Sequence, residues 1–159
     1  MNIKALVAVS IATLLAACNP VANLETGEEQ IGEFQSLYSE GNIDGMYEAT
    51  GQVFKENMTV EEMTDLYVLL DQRLGDINST ERTNFSVNST PQGTNTVIVM
   101  TTKYDQGTGA ETYTFLGNGE EMELVGWHVA SERLNLSPAE MRDAFTDDEV
   151  REEGSVATE

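Results

Sequence analysis

The fold class is decided by the stretch Thr96-Val97-Ile98-Val99-Met100-Thr101-Thr102-Lys103-Tyr104. Successive side chains of a strand point to opposite faces, so Ile98 and Met100 share one face and Val97 and Val99 share the other. Apolar side chains on both faces predict a central strand that is covered on both sides or that needs a partner. The stretch therefore predicts a β-sheet in the second half of the chain.

The sequence around this strand keeps the period of two and is divided by turn residues, as in an antiparallel meander. We predict four strands: one from about Thr83, one from Thr96 to Tyr104, one from Glu111 to Leu116, and one from Met122 to about Arg133. In the last strand, Val125, Trp127 and Val129 alternate, which predicts that these three side chains face the core.

The first half of the chain has helical spacing instead. Three helices are predicted: Thr26 to Gly41, Ile43 to about Thr50, and Thr59 to Gly75. The first and third open with capping-box spacing, and glycines can end both. Between the second and third helices, Val53-Phe54-Lys55 fits a brief strand or an apolar plug equally well. A short C-terminal helix is predicted from Ser137 to Phe145. The expected class is α+β, with N-terminal helices packed on a curved four-stranded antiparallel sheet.

The chain begins with the features of a bacterial secretory signal. Lys4 precedes an apolar run that ends in small residues at Leu15-Ala16-Ala17-Cys18, which resembles the lipobox of bacterial lipoproteins. The resemblance implies cleavage between Ala17 and Cys18 and attachment of lipid to Cys18. The run is too short to be a spanning helix, which needs roughly 20 residues. An ordinary signal peptide with a chance cysteine is the other reading.

The lipobox determines the expected domain boundaries and the expected cellular location. We expect a lipoprotein signal peptide over residues 1–17, a tether over 18–25, one α+β domain over 26–146, and an acidic disordered tail over 147–159. By resemblance to lipoprotein sorting, Asn19 favours the outer membrane, with the domain facing the periplasm; the inner membrane is the less favoured address.

Composition restricts the partners. The chain has 28 acidic and 8 basic residues, a formal net charge of −20 at pH 7. Such a chain repels nucleic acid and anionic headgroups, so we expect no nucleic-acid partner. We expect the lipid on Cys18, and not the protein surface, to attach the protein to the membrane. The acidity also fits simple solubility. No metal site and no cofactor are predicted, because the sequence lacks the motifs that bind them.

Few residues can carry chemistry. His128 is the single histidine, and strand alternation points it away from the core if Trp127 points inward. Cys18, the single cysteine, is taken by the anchor. We name Tyr67, Arg73, Trp127 and His128 as candidate cavity or interface residues and predict no catalytic residue.

The order of elements adds a resemblance. The Arg73-Leu74-Gly75 helix ending, the Glu111-Thr112-Tyr113 strand and Gly126-Trp127-His128 resemble a group of small uncharacterised bacterial lipoproteins over about 28–133. The resemblance implies the nuclear-transport-factor-two-like or cystatin-like cone, a curved sheet that wraps helices around a cavity. It implies no activity, because that superfamily hosts many functions.

Three functions stay open. The first is a noncatalytic envelope lipoprotein that binds a peptide, a small apolar ligand or an envelope protein. The second is a small hydrolase or isomerase that uses a buried carboxylate in a cavity, with or without His128. The third is a homodimeric structural subunit of an envelope assembly. Whether the protein is an enzyme is not decided by its sequence.

Overall fold

The computed structural model describes residues 20–90 and 93–135. Within these ranges the chain forms α1 (Pro20–Ser39), α2 (Ile43–Glu48), α3 (Gln52–Asn57) and α4 (Val60–Leu74), followed by β1 (Ile77–Thr90), β2 (Gly93–Tyr104), β3 (Gly107–Leu116) and β4 (Glu123–Ala130). Short 3-10 turns occupy Gly119–Glu121 and Glu132–Leu134. The predicted α+β class, with N-terminal helices on a four-stranded antiparallel sheet, is confirmed.

The sheet is a meander in the order β1-β2-β3-β4, and its two faces differ in burial. On β2, buried residues alternate with half-buried or exposed ones; Ile98 and Met100 are buried, whereas Val97 and Val99 are half-buried. The buried face carries the hydrophobic core, which also contains Phe34 of α1 and Leu70 of α4. We call this the inner face and the opposite one the outer sheet face.

α1 begins earlier than its sequence pattern predicts. It is already helical at Pro20, the first residue that the structure describes, so the predicted helix start at Thr26 is wrong and residues 20–25 are helical where the sequence predicts a tether. The following turn is held by Asn23, which is 4% exposed and hydrogen bonds to Asn118 and Gly119. Cys18 and Asn19 lie outside the described residues.

The other helices follow their sequence signals closely. The Thr59–Glu62 capping box is present at the start of α4, and Gly41 and Gly75 end α1 and α4 with φ of 65° and 76°. Positive φ costs glycine little, which is why it ends helices in this way. Val53-Phe54-Lys55 lies within α3, where Phe54 is buried as an apolar plug and no strand forms.

Two strands depart from prediction. β1 begins at Ile77, earlier than Thr83, because its polar residues pair with β2 as an edge strand. In β4, Gly126 pairs with Thr114 while Leu124 pairs with Phe115, so Val125 is the extra residue of a β-bulge. Leu124 is buried in the core and Val125 is half-buried; the expected core position of Val125 is therefore wrong.

Several expectations concern residues outside the described ranges. These are the signal peptide over 1–17, the helix from Ser137 to Phe145 and the tail over 147–159. Among the described residues, no helix combines the length and apolarity needed to cross a bilayer.

Two glycines of α1 test the packing of the helix on the sheet. At Gly27 an added Cβ would lie 2.6 Å from Ile98 Cδ1 and 3.3 Å from Met122 Cε, whereas at Gly32 nothing lies within 4 Å. Both substitutions to alanine gain about 1 kcal/mol of helix propensity. We expect Gly32→Ala to be stabilising and Gly27→Ala to be less stable than Gly32→Ala by about 1–3 kcal/mol, because overpacking opposes the gain. Equal stabilities in urea denaturation would contradict the close packing of α1.

Candidate functional site

A carboxylate is buried at the centre of the inner face. Glu111 lies on β3, opposite Met100 of β2 and Val129 of β4, and is 1% exposed. It shares the inner face of β3 with Tyr113 and Phe115, both fully buried, because the three residues are spaced two apart along the strand; an acid therefore lies among aromatic side chains. A buried charge needs partners, because its removal from water costs several kcal/mol.

The partners are uncharged donors from three elements of the fold. Gln35 Nε2 of α1 donates to Glu111 Oε1 at 3.2 Å, and Trp127 Nε1 of β4 donates to Oε2 at 3.0 Å. The Tyr113 hydroxyl of β3 donates to Oε2, and burial together with the nearby charge of Glu111 raises the pKa of the Tyr104 phenol on β2. Donors on both oxygens match an ionised carboxylate, which can only accept hydrogen bonds. We call these five residues the Glu111 network.

The network continues to the edge strand through hydroxyl groups. Gln35 Nε2 lies 3.4 Å from Thr80 Oγ1 of β1 and 3.3 Å from the Tyr113 hydroxyl. Thr80 and Thr102 share a hydrogen bond of 3.1 Å between their hydroxyl oxygens. Polar contacts therefore connect α1 with all four strands.

Aromatic rings enclose the network on the helix side. The Phe34 and Trp127 ring centroids are 5.0 Å apart in an edge-to-face arrangement, and Phe34 also contacts Tyr113 at 6.1 Å. Tyr38 contacts both Tyr67 and Tyr104. Apolar surroundings strengthen the hydrogen bonds to Glu111, because they lower the local dielectric.

Burial and the charge of Glu111 keep the phenols protonated. Burial, followed by the negative charge of Glu111, raises the pKa of Tyr113 well above its ordinary value and raises that of Tyr104 in the same direction. Burial and then the charge of Asp71 raise the pKa of Tyr38. These phenols are therefore hydrogen-bond donors at neutral pH and unsuited to act as bases.

The predicted site residues are distributed over different parts of the fold. Trp127 joins the Glu111 network, as described. Tyr67 is half-buried on α4 against Tyr38, and Arg73 is half-buried in the last turn of the same helix. His128 is exposed on the outer sheet face opposite Thr112, as strand alternation predicts, and borders a surface depression formed by residues 128–135.

Sequence reasoning missed the central residue of the site. The sequence predicts Glu111 on a strand but in no network, although its place on the same strand face as Tyr113 and Phe115 is a signal that could have found it. Gln35 and Tyr104 carried no comparable signal, because only the folded chain brings them to Glu111. Among residues 20–90 and 93–135, no three potential metal ligands of the His, Cys, Asp or Glu type are grouped together.

The contribution of the phenol donor can be measured directly. We expect Tyr113→Phe to destabilise the fold by about 1.5–3 kcal/mol, because it removes one donor from a buried carboxylate. Tyr47→Phe is the matched control, since Tyr47 is half-buried beside Lys55 and lies outside the network. Its effect should stay within about 0.5 kcal/mol.

A double-mutant cycle separates this contribution from packing. In a Glu111→Leu background, Tyr113→Phe should cost much less, so that the two effects on the free energy of unfolding are not additive. Additive effects would show that Tyr113 stabilises the fold without Glu111.

The raised phenol pKa values predict loss of stability in alkali. Tyrosines of the unfolded chain ionise near the ordinary pKa of 10.0, while Tyr38, Tyr104 and Tyr113 retain their protons in the folded chain. The unfolded state then binds fewer protons, so stability falls as the pH rises above about 10, by up to about 1.4 kcal/mol per pH unit for each such tyrosine. Urea denaturation at several alkaline pH values, with phenolate absorbance as a second signal, measures this slope. Constant stability between about pH 9 and pH 11 would contradict the prediction.

Comparisons with known proteins place the chain in a family. Its fold is similar to the structure titled "Structure of Bdellovibrio bacteriovorus Bd1075", with 11% sequence identity and a TM-score of 0.44, over 68% of this chain and 41% of that one. The chain thus spans less than half the length of that protein. No curated protein sequence matches. A family model described as a protein of unknown function, DUF3887, matches residues 23–126. The chain belongs to this DUF3887 family of proteins of unknown function.

Proposed function

We propose that the protein is a lipid-anchored, periplasm-facing module of the bacterial envelope that binds another envelope protein and catalyses no reaction. The observation that carries the binding role is the outer sheet face. Its central residues are Val97 and Val99 of β2 and Thr112 and Thr114 of β3, which pair across the two strands. The anchor is inferred from Leu15-Ala16-Ala17-Cys18, and the outer membrane from Asn19.

The centre of this face has the composition of an interface. Its four central side chains are β-branched, half-buried and uncharged in a chain with a formal net charge of −20. The neighbouring positions on β1, opposite Val99 and Val97, are Asn84 and Ser86. Interface cores are depleted in charged residues, whereas an ordinary acidic surface is not.

The net charge favours a different protein over a second copy. Two copies, each with a charge near −20, repel one another at the distances of an interface. A partner with a neutral contact surface and a basic rim would instead be attracted. The homodimer predicted as an alternative is therefore less favoured than a heterologous complex.

One observation supports the enzyme hypothesis. Glu111 is the buried carboxylate that a small hydrolase or isomerase of this class would use. Its oxygens, however, already accept from Gln35, Tyr113 and Trp127, and His128 lies on the opposite face of the sheet. A general base needs a free lone pair directed at its substrate, so binding is favoured over catalysis.

Crosslinking in intact cells tests the proposed function. A photo-crosslinking amino acid at Thr112, on the outer sheet face, should capture one envelope protein, and the same amino acid at Val97 should capture the same protein. Val68, exposed on α4, is the matched control and should not yield this adduct. Thr114→Arg should abolish capture from Thr112 while leaving the fold intact. Self-adducts, or the same adduct from Val68, would contradict the proposed face.

The proposed attachment to the membrane is tested in the same cells. Cys18→Ser removes the sulfur that the lipid requires, so the variant should be released from the membrane fraction. A variant that remains with the membranes would contradict lipid anchoring.

A further inference from the structure

Very little chain separates the first helix from the proposed lipid. Pro20, the first residue that the structure describes, already belongs to α1, whereas the lipid is proposed on Cys18. A residue spans at most about 3.6 Å even when fully extended, so two residues reach about 7 Å whatever their conformation. A flexible tether of eight residues, as expected from sequence, would have reached roughly four times as far.

The start of α1 is held to the body of the domain and cannot serve as extra tether without loss of contacts. Asn23 Nδ2 donates to Asn118 Oδ1 at 3.1 Å, and Asn23 Oδ1 accepts from the backbone N–H of Gly119 at 3.0 Å. Further along the helix, Gln30 Nε2 donates to the Met122 carbonyl at 2.8 Å. These contacts join α1 to the turn between β3 and β4.

The same contacts define two opposite ends of the domain. The near end comprises the start of α1, the β3–β4 turn over 117–122, and Thr94 of β2, whose carbonyl accepts from Gly117 N. The far end comprises the end of α1 and the β2–β3 turn, where Tyr38 Oη donates to the Gly75 carbonyl and Gln106 N donates to the Leu74 carbonyl. The 20 residues of α1 separate the two ends by about 30 Å.

Charge opposes any further approach to the bilayer. Exposed side chains at or beside the near end include the acids Glu25, Glu29, Glu121 and Glu123. Arg82, on β1, forms an ion pair with Glu28 at 3.0 Å. An acidic domain is repelled by anionic headgroups over a Debye length of about 8 Å, and the short connection holds only its near end within that distance. Repulsion is smallest when the far end points away from the bilayer.

We propose that the near end lies on the surface of the phospholipid bilayer that holds the anchor, with the far end directed away from it. The inference rests on the proposed lipid at Cys18. It identifies the start of α1 and the β3–β4 turn as a surface that faces headgroups. The strands then run away from the bilayer, and the outer sheet face is open from the side to a partner in the same compartment.

Energy transfer to labelled headgroups tests the orientation. Cys18 is the single native cysteine, and lipid blocks its sulfur, so one introduced cysteine can be labelled selectively. The lipidated full chain, as Glu121→Cys at the near end or Thr108→Cys at the far end, is reconstituted into phosphatidylethanolamine and phosphatidylglycerol vesicles with acceptor dye on the headgroups. Both positions are exposed. Transfer should be several-fold more efficient from position 121 than from position 108.

An insertion provides the control. About 12 flexible Gly/Ser residues between Asn19 and Pro20 add a root-mean-square reach of roughly 20 Å, so the difference between the two positions should shrink. Equal transfer from both positions with the native junction, or stronger transfer from position 108, would overturn the orientation. Mass spectrometry of the reconstituted chain distinguishes the causes. If the protein carries the lipid and transfer is equal from both positions, the orientation alone is overturned. If the protein lacks the mass of the acyl chains, both the orientation and the proposed anchor are overturned.

Discussion

The layers of this domain are joined by the need to satisfy one buried carboxylate. Glu111 accepts hydrogen bonds from Gln35 on α1, from Tyr113 on its own strand and from Trp127 on β4, so helix position and strand register must agree for its charge to be stabilised. The β-bulge at Val125 is part of this arrangement. Without it, strict alternation would put Leu124 and Trp127 on opposite faces, because their positions differ by an odd number. The bulge lets Leu124 enter the core and Trp127 reach Glu111.

Burying a charge between two layers costs desolvation free energy. Apolar residues of similar volume often stabilise a core as well or better, so Glu111 is weak evidence for high stability. Its physical effect is specificity: a shifted helix or a slipped strand would leave a charge without donors. The surfaces left for function are the uncharged centre of the outer sheet face and the near end of the domain, which lie at different orientations to the proposed membrane.

Local signals predicted most of the fold. The Thr59–Glu62 capping box and the glycines at 41 and 75 located helix ends, since those effects act within a few residues. What could not be predicted depends on distant partners. The helical course of residues 20–25 is supported by the contact of Asn23 with Asn118, 95 residues away, and the extension of β1 to Ile77 depends on pairing with β2. The spacing of Glu111, Tyr113 and Phe115 indicates an acid on the same strand face as aromatic residues, but Gln35 belongs to another element, whose contact with β3 no local pattern encodes.

The indole N–H of Trp127 reports on the central interaction most directly. Trp127 is the single tryptophan, so its side-chain N–H gives one resolved signal in a nitrogen-15 NMR spectrum without further assignment. We expect slow hydrogen exchange of this N–H, because it donates a hydrogen bond to the buried Glu111 carboxylate. As denaturant is added, the free energy of opening obtained from its exchange rate should follow the free energy of global unfolding. Exchange at the rate of a solvent-exposed indole, in chain that is otherwise folded, would contradict the central role of Glu111.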